Sequence, residues 1–379
     1  MTEKGPDFGV LGPLQVTVAG NSMPLGTPKQ RALLAALVIN RNRPVSIDSL
    51  LTAVWGECPP PGARASLHTY VSNLRRLLAS AGSESPATLA KQPPGYRLVV
   101  ADPDCDLGRF VMHKTVGVRE AAAGHFAQAS SHLSAALVEW RGPVLEDLRE
   151  FAFVDAFATA LTEDKMVAHI ARAESEIACG RAYAVISELE SLVTDHPYRE
   201  PLWAQLMTAY YLADRQSDAL DAYRRLKTTL SDDLGIDPGP TLCTLQERIL
   251  RQERLDVVKA ARTTAADTVV AMGERTAVST RDTAPRLCDA SGTVYPLLAA
   301  VTRIGRLADN DVVLEDAKVS RHHAVIIDTG TSFVISDLRS ANGVVVTGQR
   351  IRGSVTLTDG DRISIGRHEL RFELRPGDS

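Results

Sequence analysis

The hydrophobic period of this 379-residue chain changes along its length, and that change limits its fold more than any other feature. Residues 106–255 are Ala- and Leu-rich and read as helices, with short breakers at ACGR, DHPYREP and LADRQ. From 287 onward short strand-like runs follow one another: VYPLLAA, DVVL, HHAVIID, SFVISDL, GVVVTG, SVTLT, RISIG and ELRFEL. Turns such as SANG and DGD separate them. Stacked helices bury stripes, whereas a sandwich buries alternating faces, so the two patterns need separate cores. The chain is long enough for roughly two to four domains.

Residues 8–26 read as short hairpin strands. In TPKQRALLAALVIN, Thr27 is an N-cap, Pro28 takes the first helical position, and Leu33, Leu34, Leu37 and Val38 form a stripe. A second helix runs from Ser46 to Gly56. After CPPPG a third covers ARASLHTYVSNLRRLLAS, and TLAKQPPGYRLVV makes two strands around a Pro-Pro-Gly turn. These elements form one domain ending near 104. In the helical segment, Trp203, Leu206, Tyr210, Ala219 and Tyr223 stand at tetratricopeptide spacing, the mark of stacked helix pairs. Residues 256–286 are Thr- and Ala-rich with few large apolar anchors and read as a linker. Within it Thr264, three residues before Asp267, is a candidate modification site.

Charge is uneven. Residues 1–104 carry ten Lys/Arg against seven Asp/Glu, whereas 105–284 carry twenty against twenty-seven. Nucleic acid is therefore admissible at the N-terminal domain and disfavoured along the middle. The five cysteines are scattered without a CxxC pair, which suits reduced thiols in a cytoplasm. No signal-like N-terminus stands out, and no apolar run approaches the roughly 18–20 residues needed to span a bilayer, so no membrane partner is expected.

The third helix buries Leu67, Tyr70, Val71, Leu74, Leu77 and Leu78 as one stripe. Its other face carries Arg64, His68, Thr69, Ser72, Asn73, Arg75 and Arg76, with no carboxylate among them. Arginine pairs with guanine edges, asparagine with adenine, and the rest suit phosphates. Lys91 and Arg97 on the hairpin fit a neighbouring groove. A merely solvated face remains the alternative on composition alone. The phrases GPLQVTVAG, ARASLHTYVSNLRRLL and PPGYRL resemble the OmpR-type winged helix-turn-helix of SARP-type transcriptional regulators. HPYREPLWAQLMTAYYLADRQSDALDAYRRLKTTLSDDLGIDPGPTL is similar to their bacterial transcriptional activation domain. The resemblance implies that the helix residues just named, with Lys91 and Arg97, face promoter DNA. It also implies that the helical domain meets RNA polymerase.

The stretch RIGRLADNDVVLEDAKVSRHHA, residues 303–324, is the chemically densest in the chain. His322 and His323 are adjacent in a strand-like run and point to opposite faces, which argues against a shared metal ion. Asp309-Asn310-Asp311 lacks the glycine and closing glutamate of a calcium loop. No nucleophile elbow, phosphate loop or HExxH helix occurs, so neither a catalytic residue nor a cofactor is expected. An anion reader fits better: Arg306 after Gly305 offers a charged fork, Ser320 a hydroxyl donor beside Arg321, and Asn342 an amide in a tight turn.

Gly305-Arg306, Ser320-Arg321-His322-His323 and Asn342-Gly343 resemble the forkhead-associated (FHA) domain, a phosphothreonine-binding β-sandwich. The resemblance implies that Arg306 and Ser320 hold phosphate and Asn342 the peptide backbone. Asn310, Lys318 and Arg321 assist and His323 buttresses the loops; His322 is given no role, with a solvated surface histidine as its plain alternative. Ala341 departs from the Ser or Thr common there, which removes one hydrogen bond near the phosphate. The expected architecture is multidomain α+β: a winged helix-turn-helix at 1–104, an all-α tetratricopeptide-like activation domain at 105–255, a linker at 256–286 and an all-β FHA sandwich at 287–379. That order resembles the EmbR family, whose members couple Ser/Thr kinase signals to transcription, so a threonine-phosphorylated kinase is the expected partner. A phosphopeptide adaptor without promoter activity is the competing reading.

Overall fold

The computed structural model describes residues 5–56, 58–80, 88–276, 285–297, 300–308, 310–330, 332–351 and 353–374. Asp309 and residues 277–284 of the expected linker lie outside these. The chain divides into two units, one of residues 1–112, 138–164 and 271–379, the other of residues 113–137 and 165–270.

The N-terminal part of the first unit runs β1 (Asp7–Gly9), β2 (Gln15–Val18), β3 (Asn21–Ser22), α1 (Pro28–Ile39), β4 (Val45–Ser46), α2 (Ile47–Trp55), α3 (Ala63–Ser80), β5 (Thr88–Gln92) and β6 (Gly95–Val99). The Thr27 hydroxyl accepts the Gln30 amide at the start of α1, and the Ser46 hydroxyl accepts the Ser49 amide at the start of α2. Both are caps whose removal typically costs about 1 kcal/mol. Leu67, Val71, Leu74 and Leu78 are buried, so α3 presents the stripe its spacing predicts. β5 and β6 pair antiparallel and β4 adds to β6, forming the wing sheet.

Helices follow: α4 (Asp106–Ala123), α5 (Phe126–Val138), α6 (Ala152–Ala178), α7 (Ile186–Asp195), α8 (Glu200–Leu212), α9 (Gln216–Leu234), α10 (Pro240–Leu250) and α11 (Val257–Thr276). In the second unit α8 packs on α9, with Trp203, Leu206, Tyr210, Ala219 and Tyr223 all buried in one core. The Trp203 indole donates to the Pro197 carbonyl at 2.9 Å, tying α8 to the loop before it.

One expectation needs correction. Residues 257–276 are helical, not a linker. Their apolar residues are small, yet Ala261 and Ala265 pack against Phe126 and Ala129, where small side chains let helices approach closely. Thr264 sits on that helix with its hydroxyl donating to the Ala260 carbonyl, not on an extended segment. The segment 105–255 contributes residues to both units. Residues 138–164 close on the N-terminal strands through Arg141 N–H to the Leu11 carbonyl (2.8 Å), Leu145 N–H to the Gly12 carbonyl (2.8 Å) and the Arg31–Asp147 ion pair.

Burial on α6 pushes the Glu174 carboxyl up to about 8, with the neighbouring Thr264 hydroxyl acting in the opposite direction. Gln205 donates to the carboxyl at 3.0 Å. The folded chain then holds this proton more tightly than the unfolded chain, so stability is fully present below about pH 4.5 and falls as pH rises toward 8. Glu174→Gln is expected to flatten that fall and to stabilise the second unit at pH 8 by about 2 kcal/mol, allowing for partial solvent access. Thermal melts at pH 5 and pH 8 read the difference; equal slopes for variant and wild type would contradict it.

The C-terminal part of the first unit is a sandwich of β7 (Arg286–Asp289), β8 (Val294–Pro296), β9 (Val301–Gly305), β10 (Val312–Val313), β11 (Ala324–Asp328), β12 (Phe333–Asp337), β13 (Val345–Val346), β14 (Gln349–Arg350), β15 (Ser354–Leu357), β16 (Arg362–Ile365) and β17 (His368–Glu373). One sheet has the order β10-β9-β11-β12-β15 and the other β14-β13-β16-β17-β7-β8. Ile304, Ile326 and Ile335 from the first meet Ile363, Leu370 and Phe372 from the second in a closed core. Within this unit polar contacts fasten the sandwich to the N-terminal helices. Arg43 pairs with the buried Asp328 carboxylate at 2.8 Å, Ala300 N–H donates to Asn40 Oδ1 at 3.0 Å, and Arg303 Nη2 donates to Ser49 Oγ at 3.2 Å.

Candidate functional site

Two surfaces carry the predicted residues. On α3, Arg64, His68, Thr69, Ser72, Arg75 and Arg76 are exposed along one face. Their internal bonds differ. Arg64 pairs with the exposed Asp48 of α2 at 3.0 Å, a contact with little energy in water. His68 Nδ1 lies 2.8 Å from the Tyr96 hydroxyl, and Arg75 donates to the Leu89 carbonyl at 2.8 Å while its guanidinium stands over the Tyr96 ring. These two residues hold the wing against α3. Asn73 is half-buried and donates to Gln30 Oε1 at 3.2 Å, and Gln30 in turn donates to the Leu25 carbonyl. Asn73 therefore braces α3 on α1 and does not share the open face of its neighbours. Arg76 reaches the Asn73 oxygen. Lys91 is exposed on the wing, whereas Arg97 is half-buried and bonds Gln92.

The second surface is a cleft of about 520 Å³ at one end of the sandwich, lined by Arg306, Lys318, Ser320, Arg321, Ala341 and Asn342 among others. Fourteen residues separate Arg306 and Ser320 in sequence, but Arg306 N–H donates to the Ser320 carbonyl at 3.0 Å and Leu307 N–H to the Arg321 carbonyl at 3.3 Å. Gly305 makes this approach possible, because a Cβ there would collide with the Arg321 carbonyl oxygen. The Arg306 side chain is exposed. The Ser320 oxygen accepts the Ala341 amide at 3.2 Å, and the hydroxyl keeps a proton it can donate. Asn342 Nδ2 donates to the Lys318 carbonyl at 2.6 Å, joining the two walls, and its Oδ1 has no hydrogen bond among the described residues. The Asp316 carboxylate caps the loop from below; backbone amides of Lys318 and Arg367 hold it beneath the usual carboxylate range.

The histidines differ from expectation in part. β11 begins at Ala324, so neither lies in a strand; both occupy the bend before it. The His-His-Ala-Val run is locally β-like, but the turn that brings Ser320 to Arg306 takes precedence. His323 is fully buried, with Nδ1 accepting the Ser320 amide (3.0 Å) and Nε2 donating to the Gly343 carbonyl (3.1 Å). It locks the Ser320 loop to the Asn342 turn, as a buttress does. His322 is not a solvated residue: it is half-buried, lies 3.1 Å from Asn310 Oδ1 and helps line the cleft. Asn310 is buried and spends its amide on the Leu307 and Arg321 carbonyls, so it shapes the loop from beneath and does not line the cleft. Leu338 also lines the cleft and was missed, because an exposed leucine in a loop carries no motif.

No helix among the described residues is long and apolar enough to cross a membrane, and no cluster of three or more His, Cys, Asp or Glu among them is placed to hold a metal ion. Residues 21–98 match the family "Transcriptional regulatory protein, C terminal", residues 105–250 the "Bacterial transcriptional activator domain", and residues 302–366 the FHA domain. The chain is 66% identical over 376 residues to the transcriptional regulatory protein EmbR of Mycobacterium tuberculosis, covering 99% of this chain and 97% of that protein. It is 53% identical over 250 residues to the transcriptional regulatory protein MoaR1 of the same organism, covering 66% of this chain and 80% of that one. A solved structure of Mycobacterium tuberculosis EmbR in complex with a low-affinity phosphopeptide superposes with a TM-score of 0.96 at 65% identity, covering all of both chains.

Proposed function

The chain belongs to the EmbR family of transcriptional regulators, and on that premise we propose that it binds promoter DNA through α3 and the wing while its FHA cleft takes a threonine-phosphorylated Ser/Thr kinase. It works in the cytoplasm, with the helical segment reaching RNA polymerase. On α3 the DNA-facing residues are Arg64, Thr69, Ser72 and Arg76, joined by Lys91 of the wing; His68, Arg75 and Asn73 set the angle of the helix, and Arg97 supports the wing. In the cleft Arg306 and Ser320 hold the phosphate and Asn342 the peptide backbone. Lys318 and Arg321 add positive charge, and Asn310 shapes the loop.

One observation carries the phosphate reading. The Ser320 oxygen accepts the Ala341 amide and keeps its proton available to donate, at a cleft where the Arg306 fork has no carboxylate partner among the described residues. A neutral donor beside an unneutralised guanidinium is the arrangement a dianionic phosphate needs. The test is calorimetric titration of the full chain with the autophosphorylated intracellular segment of a Ser/Thr kinase, before and after phosphatase. Binding only before treatment supports the reading; equal heats in both overturn it.

Ala341 lines the cleft with a methyl group where a hydroxyl would add one bond to phosphate. Ala341→Ser is expected to tighten a phosphothreonine peptide by about tenfold, the equivalent of roughly 1.4 kcal/mol. Titration of one peptide against both proteins measures it. Unchanged affinity would place the phosphate away from that wall.

A further inference from the structure

Two histidines of the second unit are paired with each other. His68, His125, His169 and His323 each set a ring nitrogen against a hydroxyl, a carboxylate or a backbone group. His113 of α4 and His132 of α5 instead bring nitrogen to nitrogen. Their Nδ1 atoms lie 3.3 Å apart, with ring centroids at 5.6 Å and planes tilted by 33°.

The helices hold the two rings in place. α4 and α5 form a hairpin that turns at Gly124, where φ is +89°. One turn beyond His113, Gly117 lets the helices close up: a Cβ there would fall 2.7 Å from the Leu133 side chain. Leu133 is fully buried and follows His132 directly. Ala261 and Ala265 of α11 pack on the same hairpin. Both rings are half-buried, so packing fixes their spacing before anything binds.

That spacing suits a metal ion better than a shared proton. A hydrogen bond from N–H usually spans about 2.7–3.2 Å, so this contact is slack. Two imidazole nitrogens, each about 2.0–2.1 Å from a tetrahedral zinc ion, stand about 3.3–3.4 Å apart. At the same bond lengths the right angle of a square-planar copper ion needs roughly 2.8–3.0 Å. The two nitrogens face each other, and a small swing of each ring aims both lone pairs at one ion. A ring that carries its proton on Nδ1 passes it to its own Nε2 by exchange with water, so no proton is lost overall.

We propose that His113 and His132 form an open two-histidine site for Zn2+, with water completing the coordination, and that the ion staples α4 to α5. Nitrogen donors favour such an ion over Mg2+ or Ca2+, which take oxygen ligands. The site is independent of the phosphate and DNA readings.

The test is calorimetric titration of metal-free full-length protein with Zn2+ alone. Wild type, His113→Ala, His132→Ala, the double variant and His125→Ala are compared. Each single variant at the site is expected to weaken the wild-type binding by about tenfold or more, because the second ring binds intramolecularly. The double variant loses little beyond either single one, since one ring alone does not make the site. His125→Ala, which removes the Glu120–His125 pair, leaves the binding unchanged. A second measurement needs no variant and so does not depend on how the variants fold. In nuclear magnetic resonance with isotope-labelled histidine, Zn2+ is expected to move two of the nine rings to the form that is protonated at Nε2 and metal-bound at Nδ1. Wild type that takes up no Zn2+, binding that survives in both single variants or is lost only in His125→Ala, or ring signals that do not move would each overturn the site.

Discussion

Arg306→Ala is expected to weaken binding of a phosphothreonine peptide by about 30-fold or more. Truncating one member of a desolvated charge pair costs about 2 kcal/mol at the low end, and each 1.4 kcal/mol is tenfold. The fold should not suffer, because the side chain is exposed and its backbone, not its guanidinium, makes the bond to Ser320. The melting temperature therefore stays that of wild type while affinity collapses. Arg306→Lys should recover only part of the loss: it restores charge but not the planar fork that meets two phosphate oxygens. A variant that melts normally and still binds within threefold of wild type would remove Arg306 from the phosphate site.

The second large effect falls far from either surface. Asp106 at the start of α4 is almost fully buried, and its carboxylate accepts the amides of Val10 (2.9 Å), Leu11 (2.9 Å) and Leu107 (2.7 Å) and the Arg141 guanidinium (3.2 Å). Asp106→Ala takes the acceptor from three buried amides and leaves a guanidinium without its carboxylate. Each stranded amide costs about 1–3 kcal/mol, so the total is expected near 3–5 kcal/mol. It should appear as an earlier unfolding transition in urea. Asp106→Asn keeps one acceptor oxygen and should lose roughly half as much. If Asp106→Ala unfolds at the wild-type midpoint, the bonds to Val10 and Leu11 are not what fastens the N-terminal strands to α4.

The winged-helix elements were legible because their signals are local. Thr27-Pro28 and Ser46 cap their helices, and one stripe from Leu67 to Leu78 fixes which side of α3 is buried. The cleft's lining was legible for a similar reason: Gly305 is the residue its backbone demands, and Arg306, Ser320 and Asn342 stand in short recognisable phrases that the fold brings to one cleft. Long-range closure was not. The bonds from Val10 and Leu11 to Asp106 span 96 and 95 residues, and nothing near Asp106 announces them. The same blindness hid the return of residues 138–164 to the first unit. The helix at 257–276 was missed because alanines at helix spacing look like a linker until Phe126 and Ala129 are seen against them. Asn310 and Asn73 were assigned by residue type; each instead spends its amide within the protein, as buried or half-buried asparagines usually must.

The claim that one chain reads both a phosphate and a promoter stands or falls on its DNA surface. The direct measurement is anisotropy of the full-length protein on a duplex from its own upstream region and on a scrambled duplex, across a salt series. The account predicts at least about a thousandfold preference for the specific duplex. It also predicts that affinity falls steeply with salt and that Arg76→Ala weakens binding without lowering the melting temperature. Equal affinity for both duplexes would contradict it and leave a phosphopeptide adaptor in its place.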